Sequence, residues 1–316
     1  MELALAREAA DEISLLASEI AAAPPGLVDD REWVAAARRA SCRLPIELRE
    51  TLRHFRHDSG PDATLLIHGF PVREAELPAT PMVAGSAETA ASPTAAMLAL
   101  TMLHLGELVA FRPEKGGALV QNVVPVPDRE QDQSNAGSTL LQMHVENAFH
   151  PHRPDLVALF CLRGDRDRRA ALTVASVRDA LPLLSDRTRK VLGTRAFVTE
   201  APPSFGSGAS LGAEHAVLDG DPDDPDLQVD FFSTKPADDL AASAMAELAD
   251  ALRSVTRRLD LEPGDLAIVD NRLIVHGRTA FSPYYDGRDR WLQRSFVHLD
   301  HRRSRVMRRG GGSVLD

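Results

Sequence analysis

At 316 residues the chain can hold one large domain or two ordinary ones, and its 44% apolar content is ample for a packed core. A formal charge of −10 argues against nucleic acid or an anionic membrane as the main partner, because both would repel it. No apolar run reaches the roughly 20 residues of a membrane span, and Met1 to Ala23 lacks the basic start and apolar core of a signal peptide. The cysteines, Cys42 and Cys161, lack metal-type spacing and are expected as buried thiols in a reducing, cytoplasmic setting.

Glu2 to Ala23 carries apolar residues at helical spacing (Leu5, Ala9, Ile13, Leu16, Ile20) until Pro24-Pro25 stops it. Asp30 caps a second predicted helix through Trp33 to about Ala40, and Pro45 opens a third with Leu48, Leu52 and Phe55 on one side. Residues 1–62 thus read as a helical elaboration. Ala63 to Phe70 reads as a buried strand and Ala95 to Val109 as a helix.

Short β-type runs follow: 118–124, 139–144, 156–162, 171–176, 195–199, 227–232, 267–270, 273–276 and 291–299, with one helix at 236–259 between them. Many short strands with few helices fit a mainly β chain with α elaborations, arranged as a double-sheet jelly roll. Residues 202–226, rich in glycine, proline and acid, are expected to form an active-site lid. Residues 302–316, with Gly310-Gly311-Gly312, are expected to be a flexible cationic tail.

His144-Val145-Glu146 and the distant His276 are the first candidates for chemistry. In a strand, residues two apart share a side, so His144 and Glu146 can meet one ion, and His276 ends an apolar strand before a glycine. Two imidazoles and a carboxylate can occupy one face of Fe(II) and leave three positions open for oxygen activation. The same set also binds zinc. Arg290 and Arg294 are four apart, hence on one strand face, and could hold two carboxylates by bidentate pairing. His54, His57, His150, His152, His215 and His301 are assigned no chemistry.

The stretches 116–127 (GGALVQNVVPVP), 134–138 (SNAGS), 140–163 (LLQMHVENAFHPHRPDLVALFCLR) and 261–297 (LEPGDLAIVDNRLIVHGRTAFSPYYDGRDRWLQRSFV) carry a resemblance. On them the chain resembles the clavaminate synthase-like Fe(II)/2-oxoglutarate dioxygenases, in the free L-amino-acid hydroxylase subgroup. The resemblance implies one domain over 1–316 with a distorted double-stranded β-helix of cupin-like type. It implies Fe(II), held by His144, Glu146 and His276, with 2-oxoglutarate and O2 as cosubstrates. It also implies that Arg290, helped by Thr173, holds the distal carboxylate of 2-oxoglutarate, and that Arg294 holds the substrate's α-carboxylate. Glu114, Asn135, Gln228 and Asp230 complete the implied substrate set.

Arginine-specific relatives are expected to offer two acids one residue apart, where this chain has Gln228-Val229-Asp230. A glutamine with an aspartate suits a carboxamide or ureido group better than a guanidinium. Asparagine, glutamine or citrulline are therefore favoured over arginine or lysine, with hydroxylation at C3 or C4, in peptide natural-product (antibiotic) biosynthesis. Glu146 argues against a halogenase, which needs a small residue there. A desaturase or cyclase on the same scaffold, a zinc hydrolase and a non-catalytic β-sandwich binding module are the rivals.

Overall fold

The N-terminal helices form where apolar residues recur on one side. In the computed structural model, which describes residues 1–202, 205 and 212–316, a short strand β1 (Glu2–Ala4) precedes α1 (Arg7–Ala21), α2 (Arg31–Ser41) and α3 (Ile46–His57). Asp30 caps α2 as the sequence suggests, accepting from Glu32 N–H at 2.8 Å. The expected first helix starts later than read: Glu2–Ala4 pairs in parallel with β2 (Thr64–His68). Next comes α4 (Pro93–Leu105), which is apolar all round because it is buried among these helices and the sheet beneath.

The reading of a helix to Val109 is corrected by Gly106. A Cβ there would meet His298 O at 2.6 Å, so the backbone passes too close for any other residue. The chain turns there into β3 (Glu107–Phe111), then β4 (Gln121–Val123), β5 (Leu141–His144), β6 (Leu156–Arg163) and β7 (Leu172–Ser176). Two short helices follow, α5 (Val177–Ala180) and α6 (Asp186–Leu192), then β8 (Phe197–Thr199). Beyond it lie β9 (Leu218–Asp221), β10 (Asp224–Leu227), β11 (Thr234–Pro236), α7 (Asp239–Ser254) and β12 (Arg257–Leu259). The last strands are β13 (Leu266–Asp270), β14 (Ile274–Arg278), β15 (Trp291–His298) and β16 (Val314–Leu315).

The main sheet is eight-stranded, in the order β1-β2-β13-β6-β15-β3-β16, with β4 also paired to β15. A four-stranded sheet, β12-β7-β14-β5, makes the second layer. Strand β6 shows why its sequence is continuously apolar. Leu156, Ala158, Phe160 and Leu162 pack with the helices, whereas Val157, Leu159 and Cys161 pack with side chains of the smaller sheet. Strand β15 divides the same way: Trp291 and Val297 join the helical side, and Leu292 and Phe296 the side between the sheets. Arg294 has the parity of Leu292 and Phe296 and belongs between the sheets, whereas Arg290 lies one residue before β15 begins.

Two expectations about irregular segments change. Of the expected lid, residues 203–204 and 206–211 lie outside the described residues, but its acidic part is an antiparallel hairpin of β9 and β10. Val217 and Leu227 are fully buried there, which ties the hairpin to the core. The tail is also ordered. Arg308 donates to Gly312 O at 2.8 Å and to His301 O at 2.6 Å, while β16 pairs with β3 and buries Leu315. Both cysteines are free, but only Cys161 is buried and Cys42 is exposed. Among the described residues, no helix is long and apolar enough to cross a membrane.

Candidate metal and cosubstrate site

Antiparallel pairing of β14 with β5 puts His276 directly opposite His144, with ring centroids 4.4 Å apart. Glu146 lies two residues past His144, and one ligand atom from each of the three residues falls within 4.8 Å of the others. The histidine chemistry fits a cation. His144 Nδ1 lies 2.8 Å from Gln142 O. A carbonyl only accepts, so Nδ1 carries the proton and Nε2 keeps its lone pair for a metal. His276 Nε2 is 3.6 Å from Glu146 Oε2, and burial pushes its pKa below the usual histidine value. Its Nδ1 is buried without a partner among the described residues.

Glu146 is held as an anion. Burial alone would raise its pKa, but the guanidinium of Arg294 and the two imidazoles outweigh that and hold it far below the usual carboxylate range. Arg294 Nη1 donates to Glu146 Oε2 at 2.9 Å, and Nη2 donates to Glu114 Oε1 and, at 2.5 Å, to Gln121 Oε1. With its amide turned to suit, Asn135 accepts from both Arg294 nitrogens at 3.0 Å. Buried Glu146 and partly buried Glu114 thus share one guanidinium, an imbalance that a divalent ion beside Glu146 would correct. Next to Glu114, burial brings Lys115 down to about 7, with Arg294 pushing the same way.

Arg290 is different. It is 7% exposed and has no hydrogen bond or ion pair among the described residues. Arg278, two residues past His276, is 4% exposed and donates only to Thr139 O at 2.9 Å among the described residues. Burial and the charge of Arg290 bring Arg278 down to about 9. Two buried cations without a carboxylate are costly unless an anion arrives. Nearby, Thr173 pairs across the ladder with Gly277, and its hydroxyl is 3.6 Å from Met143 Sδ. A Cβ on Gly277 would meet Leu141 O at 2.6 Å and Thr173 Oγ1 at 3.1 Å, so only glycine keeps that hydroxyl accessible.

The family model for the taurine catabolism dioxygenase TauD/TfdA family matches residues 65–296. The chain belongs to the TauD/TfdA dioxygenase family. It is 51% identical over 314 residues to L-asparagine oxygenase of Streptomyces coelicolor, covering 99% of this chain and 94% of that protein. It is 36% identical to clavaminate synthase 2 of Streptomyces clavuligerus, over 92% and 90% of the two chains. Among solved structures it matches asparagine oxygenase in complex with Fe(II), 2S,3S-3-hydroxyasparagine and succinate, with a TM-score of 0.97 and 51% identity over 99% and 98% of the chains.

Against this TauD/TfdA background the remaining expected residues divide. Asp230 forms an isolated bridge with His144, which places it beside the candidate metal ligands. Its carboxylate also caps its own turn, accepting from Phe232 N–H at 2.8 Å and Ser233 Oγ at 2.7 Å. Gln228 is engaged elsewhere. Its carbonyl accepts from Arg153 Nη1 at 3.1 Å and its amide donates to Ala148 O at 2.6 Å, so both ends are used structurally. The chain leaves β10 at Leu227, one residue before Gln228. Sequence reasoning missed Gln121, Arg278 and Asn271. Arg278 had a signal, a charge inside an apolar strand at the parity of His276.

Proposed function

We propose that this chain is an Fe(II)/2-oxoglutarate-dependent hydroxylase of a free polar L-amino acid, with L-asparagine oxidised at C3. The observation that carries the reading is the position of the three-residue metal centre. It lies against a paired acid and arginine (Glu114 and Arg294), with Arg290, just before the strand that carries Arg294, buried and without a hydrogen bond or ion pair among the described residues. An amino acid is a zwitterion, and Glu114 with Arg294 is its complement: the ammonium suits Glu114 and the α-carboxylate suits Arg294. Gln121 and Asn135 would hold the guanidinium in place. Asp230, beside His144, would accept from the substrate's side-chain amide. The 51% identity to an asparagine oxygenase favours asparagine over glutamine or citrulline.

His144, Glu146 and His276 would hold Fe(II), whose chemistry is to couple O2 and 2-oxoglutarate cleavage to hydroxylation of an unactivated carbon. Arg290 would bind the distal carboxylate of 2-oxoglutarate, with Thr173 hydrogen-bonding beside it. Arg294 would exchange its bond to Glu146 for the incoming substrate carboxylate, so substrate and metal centre are coupled through one side chain. We read the two-sheet architecture as a distorted double-stranded β-helix and 1–316 as one such domain. A mass-spectrometric screen of free amino acids with Fe(II) and 2-oxoglutarate tests the reading. L-asparagine should gain one oxygen atom, with one succinate formed per product; loss of two hydrogens, or no amino acid consumed, would overturn it.

A further inference from the structure

Glu146 lies where regular pairing has stopped. Strand β5 ends at His144, Val145 N–H donates to Val229 O at 2.8 Å, and Asn147 adopts a left-handed φ of 52°. Among the described residues no strand partner meets the Glu146 backbone; a side chain does. Asn271, fully buried in the turn between β13 and β14, accepts from Glu146 N–H with its Oδ1 at 2.7 Å. Its Nδ2 donates to Glu146 O at 3.1 Å and to Pro154 O at 2.9 Å. Asn271 is itself fixed, because its own N–H donates to Asp155 O at 2.9 Å.

We infer that Asn271 is the positioning residue that sets the iron-ligating carboxylate against the strand that carries His276. The inference rests on the reading of Glu146 as a metal ligand. The amide stands in for a missing strand, using its acceptor and both donors at once. Because Asn271 is only five residues before His276, one side chain ties the second ligand to the hairpin that bears the third. Without it, the two backbone groups of Glu146 would be buried and unsatisfied, and the carboxylate could swing away from the two imidazoles. Aspartate at this position keeps the acceptor but turns a carboxylate oxygen towards two carbonyls. Size is preserved and the restraint is lost.

Cobalt(II) titration, followed by its visible absorption, reads the effect without turnover. Asn271→Asp should bind cobalt about 10- to 100-fold more weakly than the native protein, the range for loss of a group that orients a ligand. Leu48→Ala, in the outer apolar layer, should lose stability while keeping native cobalt affinity. Hydrogen exchange on the metal-free native protein gives a reading that survives a variant that does not fold. The Glu146 amide should be as protected as those of β14. Native-like cobalt affinity in folded Asn271→Asp, or fast exchange at Glu146, would overturn the inference. Failure of the native protein to bind cobalt would instead remove the metal reading, and the inference with it.

Discussion

Arg290→Met should raise the 2-oxoglutarate concentration needed for half-maximal rate by roughly 30-fold to several thousand-fold. Truncating one partner of a buried charge pair costs about 2–5 kcal/mol, and each 1.4 kcal/mol is a factor of ten. The distinctive part is stability. Arg290 has no hydrogen bond or ion pair among the described residues, and burial of its charge is unfavourable on its own. Removing the charge should therefore leave the cosubstrate-free protein as stable as before, or more so, while removing the rise in melting temperature that succinate should give the native protein. Steady-state kinetics and a thermal melt with and without succinate check both halves. A variant that loses stability but keeps its 2-oxoglutarate requirement would make Arg290 a structural residue.

Arg294→Met should behave in the opposite way. Its guanidinium is the shared counter-ion of buried Glu146 and partly buried Glu114, so the variant strands two carboxylates at once. Breaking a buried pair by removing one partner costs about 3–5 kcal/mol. The metal-free variant should melt well below the native protein, and a divalent ion should restore much of the loss by neutralising Glu146. Amino-acid turnover should nearly vanish, whereas slow cleavage of 2-oxoglutarate without substrate should continue. Melting curves with and without added metal separate these effects. Equal damage to substrate turnover and to uncoupled cleavage would contradict a role for Arg294 in holding the amino acid.

The parts legible in the sequence were those governed by local rules. Asp30 was read as a cap because an acid before an apolar-periodic run satisfies an orphan N–H, and it does so here. The apolar run at 156–162 was read as a buried strand, and β6 is packed on both faces. Parity suggested one side for His144 and Glu146 and for Arg290 and Arg294, although Glu146 lies past the end of β5 and Arg290 before the start of β15.

What stayed hidden depends on contacts between residues far apart in the chain. Nothing local says that His276 pairs with His144, nor that the Gln228 amide is drawn to Arg153 and Ala148 instead of the site. The tail looked mobile because of its glycines and exposed cations, yet Arg308 finds carbonyl acceptors and Leu315 a place in the core. Helices α5 and α6 begin at serine caps, Ser176 and Ser185, but are too short for an apolar period to announce them. The resemblance to a family supplied the proposed roles of Glu114 and Asn135, which no spacing rule would have singled out.

An anaerobic Fe(II) titration reaches the central claim directly, compared among the native protein, His144→Ala and His276→Ala, each shown to be folded. Convergence of the three side chains predicts one tightly held ferrous ion per native chain and none at the same concentration in either variant. A folded His276→Ala variant that still took up a full equivalent would contradict it.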